Sequence, residues 1–329
     1  MRFAVLGAGA IGAYVGAALA RGGAEVTLIA RGAHLRAMTD DGVRVLSPRG
    51  DFTARPQATD EIGAVAEADV VFVALKAYSL PEIAPRLGGL LNPGATAIWA
   101  QNGVPWWYFQ SLPNTHGLRG LQSVDPGGVI AASIAPQHNV GCVVYSSTEI
   151  IEPGVIRHVE GTRFTLGEPG GSDSERCRQI SAAFAAGGLR APVEPRLRDQ
   201  IWLKLVGNVA FNAVTALTGA TLGQLGELPQ MRDLLRSIFT ECAAVADELG
   251  ISFPVSLDRR LEAGLAVGDH KTSMLQDLEA GKRLELDCMT GAIVELADRL
   301  NIEVPHTRTV HACAKLLDQL NAERAARHG

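Results

Sequence analysis

The chain begins with an apolar run, Arg2-Phe3-Ala4-Val5-Leu6, that leads directly into Gly7-Ala8-Gly9-Ala10-Ile11-Gly12, and this placement constrains the fold more than any other feature. A GxGxxG in an arbitrary loop carries little information. Here it closes a predicted strand and opens an amphipathic, Ala-rich helix over 13–21, followed by a second strand over 25–30, the context of a dinucleotide-binding turn. Gly7 permits the tight turn, Gly9 lets the main chain approach a pyrophosphate, and Gly12 lets the helix pack close to the sheet. The N–H groups at the helix start, at Ala10, Ile11 and Gly12, then face the anion. The bland alternative is a Gly/Ala-rich packing segment without a ligand. A secretory signal ending at Ala18-Leu19-Ala20 is disfavoured, because only Arg2 precedes the run and cleavage would remove the strand and turn.

The end of the second strand selects the nicotinamide. A carboxylate there would bind a ribose 2′-hydroxyl, whereas an arginine suits a 2′-phosphate. The chain reads Thr27-Leu28-Ile29-Ala30-Arg31, so NADPH is favoured over NADH, with the Arg31 guanidinium forking onto phosphate oxygens.

At 329 residues the chain exceeds one ordinary core, and about 150 residues per domain suggests two. With 47% hydrophobic and 20% charged residues it reads as a soluble globular protein, expected in the cytoplasm. A formal net charge of −5 gives no electrostatic reason to expect nucleic acid or a membrane as partner. The five cysteines are scattered and never form CxxC, so they read as reduced thiols, neither a disulfide framework nor a metal site. No uninterrupted apolar stretch long enough to span a bilayer is present.

Continuous apolar runs at 69–75 and 95–100 have the pattern of parallel strands buried on both faces. A hairpin is expected over 43–56, and an extended region over 140–166 alternates in the manner of antiparallel or mixed strands. A helix follows over 173–186, and Pro192 and Pro195 bracket a boundary. Beyond it the pattern is helical, with loops expected at 219–226 and 267–270. The expected architecture is an α/β Rossmann-type dinucleotide-binding domain, 1–194, followed by an all-helical C-terminal domain, 195–329, that carries substrate binding and catalysis.

Ligands on such sheets sit beyond the carboxyl ends of the strands, where Lys76 follows one strand and Gln101-Asn102-Gly103 another. Each has a bland reading, a solvated lysine and a common Asn-Gly turn. The helix over 201–217 says more. It is apolar on nearly every side, and its polar groups, Lys204, Asn208, Asn212 and Thr215, fall within ~80° of one another. An apolar helix is buried all round, and a buried lysine and carboxamides need partners. They serve either as packing glue or as a face toward an interdomain cleft that binds a polar, anionic substrate. A second cluster, Thr272-Ser273-Met274-Leu275-Gln276-Asp277, precedes Glu285, which stands at a helix start near a turn.

The combination of GAGAIG, LKAY, QNG, the LysxxxAsnxxxAsn helix and SMLQD followed by KRLELD resembles the ketopantoate reductase (2-dehydropantoate 2-reductase) family over almost the whole chain. The resemblance implies NADPH binding in the cleft and reduction of a 2-oxo acid to a 2-hydroxy acid, without a metal, in pantothenate biosynthesis. It makes Lys204 the proton donor and assigns the substrate to Asn102, Asn208, Asn212 and Ser273. It also implies that Lys76 and Asn102 contact the cofactor and that Glu285 interacts with the cofactor ribose. The chemistry suits these residue types independently. Hydride arriving at a ketone carbon leaves negative charge on oxygen, which a cationic N–H donor stabilises and then protonates.

After Gly103 the chain continues Val104-Pro105-Trp106-Trp107-Tyr108-Phe109, an aromatic patch that is either packing beneath the sheet or a pocket wall accepting a different 2-oxo acid. A related opine-type or hydroxy-acid dehydrogenase would lack the ordered Lys/Asn/Asn, SMLQD and Glu285 set. A non-enzymatic NADPH sensor would not need Lys204. Apolar helices such as 234–249 could bury themselves internally or form a homodimer interface.

Overall fold

The computed structural model describes residues 1–112 and 115–328. Two compact units emerge. The first holds Met1–Gln101, a short segment from Trp106, and Gly127–Leu197; the second holds Asn102–Pro105, a segment that ends at Pro126, and the chain from Arg198 onward. The late boundary between these units falls between Leu197 and Arg198. The earlier exchange of two segments is a feature that a single cut does not contain.

In the first unit nine strands form one sheet: β1 Arg2–Leu6, β2 Glu25–Ile29, β3 Val43–Leu46, β4 Phe52–Ala54, β5 Gln57–Thr59, β6 Val70–Val73, β7 Thr96–Trp99, β8 Asn139–Glu152 and β9 Val155–Gly167. Their order is β4-β3-β9-β8-β7-β6-β1-β2-β5. The run from β8 through β7, β6, β1 and β2 to β5 is parallel. β8 and β9 pair antiparallel, as do β3 and β4 in the expected hairpin. Strands β6 and β7 are buried at every residue, as their unbroken apolar sequence requires. The two edge strands, β4 and β5, are consecutive in sequence, separated by Arg55 and Pro56 alone, so the sheet curls until its edges approach.

Helix α1, Ala10–Arg21, fills that curl, packing against β1, β2, β3, β4, β8 and β9. Every residue from Gly12 to Leu19 is buried, so the helix is not the one-faced amphipath expected from sequence. The reason is the sheet's closure round it, and small residues allow the approach. A Cβ at Gly16 would lie 2.3 Å from Leu28 Cδ2. Helices α2 Gly32–Asp40, α3 Leu80–Leu90, α4 Val129–Ser133 and α5 Glu175–Ala186 complete the unit.

The aromatic run belongs to this core. Trp106, Trp107, Tyr108 and Phe109 are all buried, and Trp106 meets Trp99 edge-on with centroids 5.1 Å apart. Trp107 lies so close to Gly141 that a Cβ there would be 2.4 Å from its ring. The Trp99 indole donates to Asn139 Oδ1 at 2.8 Å, and Asn139 donates to Gln110 Oε1 at 2.8 Å. These contacts favour the packing reading of the patch.

The second unit is helical among its described residues. Its first helix runs from Leu197 to Thr218 as α6 Leu197–Gly207, a π-helical segment Asn208–Asn212, and α7 Ala213–Thr218. By length and composition this helix could cross a membrane, but 72% of its most apolar window is buried inside the protein. It is a core helix, as its apolar circumference predicts. Helix α8, Leu222–Glu227, stands where a loop was expected at 219–226. Gly219 ends α7 in the left-handed region, and a Thr221/Gln224 capping box starts α8 at once. Then come α9 Pro229–Glu248, α10 Leu257–Leu265, α11 Ser273–Glu279, a second π-helical segment Asp287–Gly291 that runs into α12 Ala292–Leu300, and α13 Pro305–His328.

Candidate active site

In the first unit the glycine turn is built from backbone. The Gly7 and Ala8 N–H groups donate to Ile29 O at 3.2 and 3.0 Å, fastening the turn to the end of β2. Gly7 has a φ of +94°, and a Cβ there would lie 2.9 to 3.1 Å from Leu75 and Ala74. A Cβ at Gly12 would lie 2.3 Å from Gly7 O. At Gly9, by contrast, a Cβ would meet nothing within 4 Å, so the turn is open on the side a phosphate would use. The N–H groups of the first turn of α1 have no intrahelical acceptor and carry the positive end of the helix dipole. The cradle therefore fits a dinucleotide pyrophosphate.

Arg31 lies two residues past Ile29, exposed, at the N-cap of α2. Lys76, half-buried, follows Leu75 on the opposite side of the turn and caps a short 3₁₀ turn, Ala77–Ser79. The structure thus brings Gly7, Gly9, Ala10, Ile11, Gly12, Arg31 and Lys76 to one end of the sheet. Two residues to which the sequence reading gave no role of their own support them. Gln101 Nε2 donates to Val73 O at 2.8 Å and Leu75 O at 3.1 Å, tying the end of β7 to the loop that carries Lys76. His34 Nδ1 accepts from Gly154 N–H at 3.0 Å, anchoring α2 to the β8–β9 turn, and burial holds its pKa below the ordinary imidazole value. A histidine on a short surface helix carries no local signal of that anchor.

The remaining candidates lie in the second unit, Asn102 and Glu285 included. Lys204 projects from α6 and its Nζ donates to Asn102 Oδ1 at 2.7 Å. The Asn102 backbone is held in turn. Val104 N–H donates to Cys288 O at 2.8 Å, and Gly103, with φ +85°, presses so closely that a Cβ would be 2.2 Å from the same oxygen. Only glycine fits there.

Asn208 and Asn212 begin and end the first π segment. In an α-helix each i to i+4 step overshoots a full turn by about 40°, so a stripe of three such residues drifts round the axis. The wider π turn between Asn208 and Asn212 offsets that drift. Asn212 is buried, and its Nδ2 donates to Met289 Sδ at 3.7 Å, joining the first π segment to the second. Thr215 has a different task from the rest of the stripe. Its hydroxyl meets the Thr272 hydroxyl at 2.6 Å, and Thr272 caps α11, so Ser273 stands at the first position of a helix pinned to α7. Glu285 is buried two residues ahead of the second π segment. That segment is braced from α13, where Lys315 Nζ reaches Asp287 Oδ1 at 3.0 Å and His311 Nδ1 lies 2.8 Å from the Thr290 hydroxyl.

Hydrogen bonds thus link the four stretches, distant in sequence, that carry Asn102, Lys204 with Asn212, Ser273 and Glu285. A glycine turn open to a pyrophosphate and a lysine held against a carboxamide define the class as a Rossmann-type oxidoreductase. The sequence matches the family described as Ketopantoate reductase PanE/ApbA over residues 3–171, and its C-terminal counterpart over residues 196–318. It is 41% identical over 325 residues to the 2-dehydropantoate 2-reductase of Mesorhizobium japonicum, covering 98% of this chain and 99% of that protein. Among solved structures, a PanE/ApbA family ketopantoate reductase from Ralstonia eutropha JMP134 has a TM-score of 0.85 at 29% identity, covering 98% of this chain and 99% of that one. The 2-dehydropantoate 2-reductase of Geobacter metallireducens GS-15 has a TM-score of 0.83 at 26% identity, covering 96% and 99%. The chain belongs to the ketopantoate reductase family, an oxidoreductase family acting on CH–OH groups.

Proposed function

We propose that the protein reduces ketopantoate (2-dehydropantoate) to pantoate with NADPH, and that Lys204 is the proton donor. The observation that carries this reading is the 2.7 Å hydrogen bond from Lys204 Nζ to Asn102 Oδ1. It keeps an ammonium group fixed on a helix with no other cation between Leu205 and Thr218. The glycine turn would hold the pyrophosphate, Arg31 the 2′-phosphate, and Lys76, Asn102 and Glu285 the nicotinamide half with its ribose.

When bound, the reduced nicotinamide supplies hydride to the ketone carbon of the substrate. Lys204 stabilises the negative charge that develops on the ketone oxygen and delivers a proton to it. Asn208, Asn212 and Ser273 hold the carboxylate and hydroxyl of the substrate with neutral donors, which leaves Lys204 as the charged group at the reacting oxygen. The burial of Trp106 and Trp107 in the first unit supports the packing reading of the aromatic patch over a pocket wall altered for another 2-oxo acid. A cytoplasmic homodimer is part of the same proposal.

The test is the loss of reduced-nicotinamide absorbance on mixing the protein with NADPH or NADH and a panel of 2-oxo acids. Rapid oxidation of NADPH with ketopantoate and slow oxidation of NADH is the expected result. Turnover confined to another oxo acid would overturn the substrate assignment, and binding of NADPH without turnover on any acid would revive a sensor role.

A further inference from the structure

Helix α10 grips the Lys204 helix at two points, each built on a glycine. Arg260 Nε donates to the carbonyl of Leu203 at 3.2 Å, immediately before Lys204. Its guanidinium then lies over Gly207, where a Cβ would come within 2.7 Å of Arg260 Nη2. One turn further along α10 the relation is reversed. The Phe211 ring, from the first π segment, covers Gly264 so closely that a Cβ there would be 2.4 Å from Phe211 Cε2. The other face of α10 is tied to α9 by ion pairs of Arg232 with Glu262 and of Arg236 with Asp258.

This double interlock sits where the Lys204 helix changes from α to π. A π turn contains one extra residue, and a helix can pass that residue to a neighbouring turn at little cost because the hydrogen bonds simply exchange partners. Were the extra residue to move ahead of Lys204, the lysine would rotate by about 100° round the axis and leave Asn102. The bond to Leu203 O and the close fit over Gly207 hold the turn 203–207 as α-helix, while Phe211 on Gly264 marks the π side of the junction.

We infer that Arg260 is a positioning residue for Lys204, acting by fixing the site of the π turn, and that residue 207 is glycine so that the guanidinium can lie there. The inference rests on Lys204 being the proton donor. Gly207→Ala is the most informative variant, since alanine favours the helix and displaces the guanidinium without removing it.

Turnover of NADPH with saturating ketopantoate should be measured for Gly207→Ala, Arg260→Met and the double variant, together with NADPH affinity and thermal midpoint. The expected result is a fall in kcat of about tenfold to a hundredfold in each, the scale of a misplaced catalytic group. NADPH affinity should be unchanged, the thermal midpoint of Gly207→Ala should not fall, and the double variant should be no worse than the poorer single one. Wild-type kcat in Gly207→Ala, or losses that merely follow the thermal midpoint, would overturn the inference. Lys204→Ala measured alongside separates the two claims. Wild-type turnover in that variant overturns the proton-donor reading, whereas its inactivity beside a fully active Gly207→Ala overturns only the role given to Arg260.

Discussion

On the proposed function, the glycine turn of the first unit and the lysine stripe of the second would solve the same problem, holding a polar ligand against an apolar core, by opposite means. The turn uses backbone N–H groups and the absence of side chains: Gly7 and Gly12 are needed for close approach, and Gly9 is open. The stripe uses side chains, and its accuracy depends on helix register, on the π segment Asn208–Asn212 and on contacts to Asn102, Met289 and Thr272. A backbone cradle is set locally. A side-chain site is set by whatever packs against its helix, and it should fail in a different way.

The largest difference is expected at Lys204. Replacing it by alanine should lower kcat by about 10²- to 10⁴-fold, the range for a positioned general acid, and leave NADPH affinity nearly unchanged. Kinetics with a parallel fluorescence titration of NADPH would check both halves. A variant that lost cofactor affinity and kept kcat would remove Lys204 from proton transfer.

On the turn side of the comparison, the proposed function gives the 2′-phosphate to Arg31. It is exposed at the start of α2. Arg31→Gln should weaken NADPH by roughly tenfold to a hundredfold, as expected for charge-assisted hydrogen bonds worth about 1.5–3 kcal/mol, and leave NADH untouched. Equal weakening of both dinucleotides would remove Arg31 from 2′-phosphate recognition. Gly12→Ala probes the backbone itself. With its Cβ 2.3 Å from Gly7 O, the turn must shift, at a cost of about 1–3 kcal/mol that should appear in the dissociation constants of both dinucleotides alike.

The same contrast explains what could be read from the residues alone. The turn was legible because the glycines recur at fixed spacing, Gly7 and Gly12 where a Cβ would clash, and the strand before it and helix after it are periodic over a few residues. Lys204, Asn208, Asn212 and Ser273 could be picked out by polarity on an apolar helix and by order along the chain. The π turns could not, because Asn208–Asn212 and Asp287–Gly291 carry no local signature and form against each other and their neighbours. The curl of the sheet was equally hidden, since the order of β3, β4, β8 and β9 depends on pairings between distant strands. At α8 the signal was present, in Thr221 and Gln224 at capping-box spacing, but the glycines around them read as loop.

The smallest predicted effect tests whether the side-chain site can be loosened from a distance. Glu241 of α9 caps the start of α13, accepting from His306 N–H at 2.9 Å, the His306 ring at 2.7 Å, Thr307 N–H at 2.8 Å and the Thr307 hydroxyl at 2.6 Å. Burial raises its pKa, but the bonds from Thr307 and His306 outweigh burial, so the carboxyl titrates below its ordinary value. A depressed carboxyl stabilises the fold above its unfolded pKa, about 4.3, and that contribution is lost as pH falls through the folded value. Glu241→Gln keeps one acceptor oxygen and turns an amide toward donors, which should cost about 1 kcal/mol at neutral pH. Urea midpoints of the two proteins should therefore differ at pH 7 and converge below about pH 4; a gap that persisted into acid would mean that the charge on Glu241 is not what caps α13. Because α13 braces the second π segment through Lys315 and His311, the neutral-pH loss should also reach the lysine site, as a modest drop in kcat. An unchanged kcat beside the lowered urea midpoint would show that the brace from α13 does not bear on the lysine site.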